Sequence, residues 1–159
     1  MIDTKILIDN LENGPVILQN LLCAIPQSLM KKRRRKGKWS IHEHACHIVK
    51  AQEVILGRFK KFTNEEMPFF DPYCMPRTAL EDNLLKLNLD KELDRFVSTR
   101  MEMITLLRGF NGSVWNKHGI HDEYSIYNPY ILLRHALIHE NYHMYRIEEL
   151  WITKGEYFV

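Results

Sequence analysis

The chain has 159 residues, of which 45% are hydrophobic and 26% charged, and a formal net charge of only +2. This is the composition of one ordinary globular domain, 1–159, able to bury a core without staples, and it carries no overall bias toward nucleic acid. Cys23, Cys46 and Cys74 are an odd set with no CxxC spacing, so reduced thiols in a cytoplasmic protein fit better than a disulfide framework.

Residues 3–24 carry Ile6, Leu7, Leu11, Ile17, Leu18, Leu21 and Leu22 at mostly helical intervals. Asn13-Gly14-Pro15 must kink this first helix or mark a late start, because proline lacks the backbone donor, and Pro26 ends it. The uncharged stretch 14–30 is interrupted by Pro15, Gln19, Asn20, Pro26 and Gln27, which argues against a signal peptide or membrane span. Lys31 to Lys36 then form an unbroken basic run. It has no interleaved aromatics and no binding module around it, so a solvated loop is expected rather than a nucleic-acid patch.

The second helix opens on Ser40-Ile41-His42-Glu43, a capping box with serine at N-cap and glutamate at N3, and runs to about Phe62. Ile41, Ala45, Ile48, Ile55 and Phe59 share one face, and Lys50, Glu53, Lys60 and Lys61 the other. Pro68, Pro72 and Pro76 make 63–80 a long loop, draped across one end of the bundle. The third helix spans roughly Asp90 to Phe110, with Leu93, Phe96, Val97, Met101, Ile104 and Leu107 inward. Its start is open over 81–89, and Gly109 and Gly112 mark its end. A polar and aromatic connection, 111–126, precedes Asn128-Pro129, an N-cap followed by proline at N1. The fourth helix then runs to about Ile152. No alternating β-branched segment argues for a sheet. The expected fold is all-α, a four-helix bundle with long connections after helices two and three.

The fourth helix spaces His135, His139 and His143 evenly along one side, on the same stripe as Leu132, Ala136, Ile147 and Leu150. Imidazoles at i and i+4 converge on one divalent ion, and a third ligand must come from elsewhere. The second helix offers His42, His44 and His47. His42 falls toward the charged face, while geometry leaves His44 and His47 both open. Glu140-x-x-His143 also matches half of a di-iron carboxylate site, but the second such motif and the further inward glutamates that architecture needs are missing.

Gly37-Lys38-Trp39-Ser40, then Glu43, His47 and Arg58, resembles the second-helix signature of the DinB/YfiT-like superfamily. Leu133-x-His135-x3-His139-x3-His143-x3-Ile147 is similar to its closing motif, and the Arg100 segment and the Trp115 region also match in order. The resemblance implies a four-helix bundle, often dimeric, with a divalent metal held by His47, His139 and His143. His135 becomes a neighbouring group, and His44 a packing or hydrogen-bonding one. Members of this family are described as metal-dependent hydrolases, or as transferases and isomerases that use low-molecular-weight thiols.

Three neutral imidazoles leave such an ion its full charge and an open position. There it can lower the pKa of water, giving a hydrolase acting on a small molecule, or stabilise a thiolate for S-transfer. Nitrogen ligation favours zinc or nickel, with iron or manganese also open. Glu43, one turn before His47, and Glu140, beside both fourth-helix ligands, are candidate catalytic carboxylates; Arg146 could receive a substrate carboxylate. Simpler roles compete: Glu43 as the capping box alone, Glu140 as a surface charge, Arg146 paired with Glu149 or Glu43. Tyr142 and Trp151 are expected in the core, and Cys46 points away from His47. A non-catalytic bundle whose histidines satisfy one another is the remaining alternative.

Overall fold

In the computed structural model, which describes residues 4–72 and 83–155, the chain runs α1 (Thr4–Cys23), α2 (Gln27–Met30), α3 (Ile41–Asn64), β1 (Phe69–Phe70), a 3-10 turn (Leu84–Lys86), α4 (Leu89–Arg108), α5 (Gly112–Trp115), β2 (Ile120–His121) and α6 (Pro129–Ile152). The four long helices α1, α3, α4 and α6 form the expected bundle. Their ends carry the anticipated chemistry: Ser40 caps α3 through a complete capping box, and Asn128 caps α6 ahead of Pro129. Asn88 fixes the start of α4 by accepting the Lys91 N–H, so the segment before it stays separate.

Around the bundle, α3 packs on α4 and α6, and α1 closes the ring against the same two helices, diagonal to α3. Side-chain pairs set the directions. His47 meets His139 and His44 meets His143, so α3 and α6 are antiparallel. Lys50 meets Glu92 and Lys60 meets Glu102, so α3 and α4 are parallel. Parallel neighbours need a connection that travels back along the bundle, about 30 Å for helices of this length. That is why 65–88 is long. Pro76, Cys74 and the rest of 73–82 lie outside the described residues. The two connections meet where β1 pairs parallel with β2, Phe69 with Ile120 and Phe70 with His121. Two residues per strand are too short to leave an alternating pattern, so the expectation of no sheet missed this contact.

Two apolar clusters fill the interior. Leu11, Phe59, Phe62, Met103, Leu107, Tyr127 and Leu133 belong to one; Leu18, Ile41, Ile48, Phe96, Ile147 and Leu150 belong to the other. Between them lies a polar layer to which every long helix contributes. Arg100 Nη2 donates to Glu140, Nη1 to the Leu11 carbonyl, and Nε to Gln52 Oε1 at 2.5 Å; Gln52 Nε2 donates to the Phe96 carbonyl at 2.9 Å. The Leu11 carbonyl is free for this because Pro15, four residues on, has no N–H to offer it. Gly14 completes the device: a Cβ there would overlap Glu140 Oε1. Pro15 is therefore neither a late start nor a stop, since α1 is helical from Thr4 through it.

This layer corrects the inward face assigned to the third helix. Met101 is 67% exposed, and Arg100 and Met103 are buried instead. Phe96, Ile104 and Leu107 are buried as expected and Leu93 and Val97 half-buried, so a stripe counted by apolar residues alone errs in adding Met101 and skipping the buried arginine. The basic run also differs from a freely solvated loop. Lys31 Nζ donates to the Leu85 carbonyl at 2.9 Å, Arg33 pairs with Glu43, and Arg34 Nη1 donates to the Thr153 carbonyl at 2.5 Å. The run thus pins the 3-10 turn, the start of α3 and the end of α6.

Candidate metal centre

The capping box orders the first turns of α3, and the 3-10 turn, α6 and the basic run cover them, so 41–49 are all buried. His42, expected on the charged face, is buried too, with Nε2 at 3.1 Å from the Leu84 carbonyl. His44 and His47 face α6. There His139 and His143, one turn apart, complete a cluster: one ligand atom each from His47, His139 and His143 lie within 4.8 Å of one another. His47 Nε2 and His139 Nε2 are 3.0 Å apart. Two nitrogens at about 2.0–2.1 Å from one tetrahedral ion would sit roughly 3.3 Å apart, so the pair needs only a few tenths of an ångström of opening.

His44 has a different place. Its Nδ1 lies 2.8 Å from His143 Nδ1, which fixes the His143 ring and leaves Nε2 as that residue's nitrogen for a ligand role. The half-buried Trp39 covers the group, its ring centroid 4.6 Å from that of His47, 5.3 Å from His44 and 5.8 Å from His143.

Burial dominates the electrostatics. It pushes His47 down to about 3, aided by repulsion from His139 and His44, and His143 down to about 2, aided by His47, His139, His44 and Arg146. His44 falls to about 4 through burial and Arg146, and His139 is lowered by burial. All four rings are therefore neutral near pH 7. Neutral imidazole is the form that binds a metal, so both spacing and protonation suit a three-nitrogen site with room for further ligands.

The carboxylates stand elsewhere. Glu43 is fully engaged: Oε2 accepts from the Ser40 N–H and hydroxyl at 2.8 Å each and from Arg33 Nε at 2.9 Å, while Oε1 accepts from Arg33 Nη2. Burial raises its pKa, but Arg33 and Ser40 outweigh that and hold it below the usual carboxylate range. Glu140 turns inward to Arg100 and is 4% exposed, not a surface charge. Arg146, half-buried, pairs with Glu149. Cys46 is buried, its thiol pushed up to about 12 chiefly by burial. Trp151 packs partly buried on the second core cluster, but Tyr142 is 57% exposed and on a groove wall rather than in the core.

That groove, about 450 Å³, begins at His139 and runs between α3 and α6 past Val54, Ile55, Leu132 and His135 to Arg58, His121, Tyr124 and Tyr127. His121, Tyr124 and Tyr127 carry no signal in the sequence for this placement. They come from a connection, where no periodicity marks which side chains face a cavity.

The sequence profile of the DinB superfamily matches residues 10–147, and the chain belongs to that superfamily. Its fold is similar to that of YfiT from Bacillus subtilis, described as a probable metal-dependent hydrolase with an unusual four-helix bundle topology. The TM-score is 0.83 at 20% identity, over 94% of this chain and 87% of that one. No curated protein matches the chain at a significant level. Among the described residues, no helix is long and apolar enough to cross a membrane.

Proposed function

We propose that the protein is a metal-dependent hydrolase of a small molecule, with His47, His139 and His143 holding one divalent ion, zinc or nickel ahead of iron or manganese. The observation that carries this reading is three neutral, convergent imidazoles, one of which, His139, lines a groove large enough for a small substrate. The ion would supply a Lewis acid that polarises an electrophile and acidifies water. The description of YfiT points to the same reaction class.

The chain's own residues divide the remaining work. His44 holds the His143 ring in register, and Trp39 shields the cluster from bulk water. Glu43 fixes the helix start that presents His44 and His47, and Glu140 fixes the rotation of α6 that presents His139 and His143. In this reading both carboxylates act by positioning. Arg146 stands near His44 and His143 and adds to the burial that lowers the pKa of both rings.

The test is turnover of a panel of aryl esters, amides and lactones by the purified chain. Hydrolysis should vanish after chelation, return with added zinc or nickel, and be absent from His47→Ala. Activity indifferent to chelation contradicts the proposal. Turnover of an electrophile only when a low-molecular-weight thiol is added would assign the site to S-transfer instead.

A further inference from the structure

The groove that begins at His139 has a second polar end. Arg58 lies there, its Nη1 donating to the Tyr127 hydroxyl at 2.9 Å and its Nη2 to the Asp71 carbonyl at 2.6 Å. Both partners are neutral. Among the described residues Arg58 forms no ion pair, although its guanidinium is held in place 5.8 Å from the centroids of both the Phe70 and the Tyr127 rings. A positioned guanidinium has donors to spare, and among the described residues no carboxylate forms an ion pair with this one.

His121 adds a directional donor. Its Nδ1 accepts the Glu123 backbone N–H at 3.1 Å, so the neutral ring must carry its proton on Nε2. That Nε2 is buried and has no hydrogen-bond partner among the described residues. A buried donor without an acceptor costs free energy that a bound acceptor would recover. Bracing β1 would explain Arg58 alone; it would not explain an unmet donor on the adjoining residue of the same groove.

The walls between the two ends are apolar or aromatic: Val54, Ile55, Leu132, Ile138, Tyr124 and Tyr142. Glu123 lines the groove at its exposed rim, and the exposed Asp122 and Asp71 stand outside the lining but close enough to act on His121. The distance sets a length. From Ala51 to Arg58 along α3 is about 10 Å of axial rise, and from His47 about 16 Å.

We infer that the Arg58–His121 end of the groove is a carboxylate-recognition site, so that the substrate is a small monoanionic acid with an apolar or aromatic body. Its acid group lies at Arg58 and its reacting group at the three histidines. The recognition site stands on its own geometry; the statement about the substrate rests on the hydrolase reading above. One cation with one neutral donor matches a single negative charge and would leave a phosphate dianion half neutralised.

Calorimetric titration of the full chain with 4-phenylbutanoate, its amide and the matching 3-phenylpropylphosphonate tests this. The acid should bind at least about tenfold tighter than the amide, the scale of a charge-assisted contact. That preference should persist in His139→Ala, disappear in Arg58→Gln, and shrink in His121→Phe. Because Arg58→Gln also loses the bonds to Tyr127 and Asp71, Arg58→Lys serves as a second variant, and it should retain part of the preference. Equal binding of acid and amide overturns the inference, as does a preference that survives Arg58→Gln. A preference lost only in His139→Ala puts the acid on the metal and also overturns it; tighter binding of the phosphonate overturns the choice of carboxylate. Acid preference intact with no hydrolysis of any acid-bearing ester would sink the hydrolase reading alone.

Discussion

His139 and Glu140 are consecutive residues at mid-height of the bundle, yet they enter two polar sites of opposite character. Glu140 points to the centre, where Arg100, Gln52, the Leu11 carbonyl and the gap above Gly14 enclose it. There the charges are opposite, the guanidinium is hydrogen-bonded on all three nitrogens, and a ligand has no room. His139 points toward the α3–α6 side, where His47 and His143 present neutral rings beside an open groove. Burial is deep around Glu140, whereas His139 is half-buried between the buried His47 and His143. The difference lies in which lone pairs and donors are already used: the closed layer ties four helices together, and the open cluster keeps acceptors aimed at one point. A closed polar layer thus holds the frame on which a histidine cluster beside an open groove can be kept.

The sharpest way to break that comparison is to remove one partner of the closed layer. Arg100→Ala leaves a carboxylate buried without its cation and should lower unfolding stability in urea by about 3–5 kcal/mol. Replacing the pair together, Arg100→Met with Glu140→Leu, should recover most of that loss, because no uncompensated charge remains.

On the open side, His44→Phe keeps a ring but removes the nitrogen against His143. Metal affinity, measured by competition with a chelator, should fall by about 10–100-fold while the fold persists. Affinity unchanged in this variant would show that His44 merely packs.

The two sites should also part in their response to acid. In the metal-free chain, His44, His47, His139 and His143 all have folded pKa values below the ordinary imidazole value of 6.5. The unfolded chain therefore binds protons first as pH falls, so stability is present above about 6.5 and is lost progressively below it. Glu43, depressed in the folded state, adds a further loss as pH drops below its unfolded value of 4.5. Thermal unfolding from pH 8 to pH 4 should show the first loss beginning near pH 6.5. Stability constant down to pH 5 would contradict neutral buried imidazoles.

The smallest effect tests the frame of α3. Ser40→Ala removes the cap and should cost about 1 kcal/mol in urea unfolding, with little change in metal stoichiometry.

How far the sequence reveals these sites depends on whether a signal repeats along a helix. The four helices, the Ser40 and Asn128 caps and the histidine stripe of α6 follow from local spacing, and the structure has them where spacing puts them. The choice between His44 and His47 did not follow from spacing, because both face α6; only the family resemblance pointed to His47. The Arg100 layer was hidden for another reason. A charged residue on an inward stripe looks like an interruption, and Gly14-Pro15 looks like a break, unless their shared partner Glu140 on the last helix is known. Arg58, His121 and Tyr127 converge through two connections, 65–88 and 109–128, whose meeting at β1 and β2 depends on the crossover rather than on any repeat.

Elemental analysis of the purified chain beside His47→Ala bears most directly on the convergence of α3 and α6 around one cation. The three-histidine site predicts about one divalent ion per chain, held through dialysis and lost in His47→Ala with the helical circular dichroism unchanged. A chain that never takes up an ion, or one that binds it equally well without the His47 imidazole, would contradict the account.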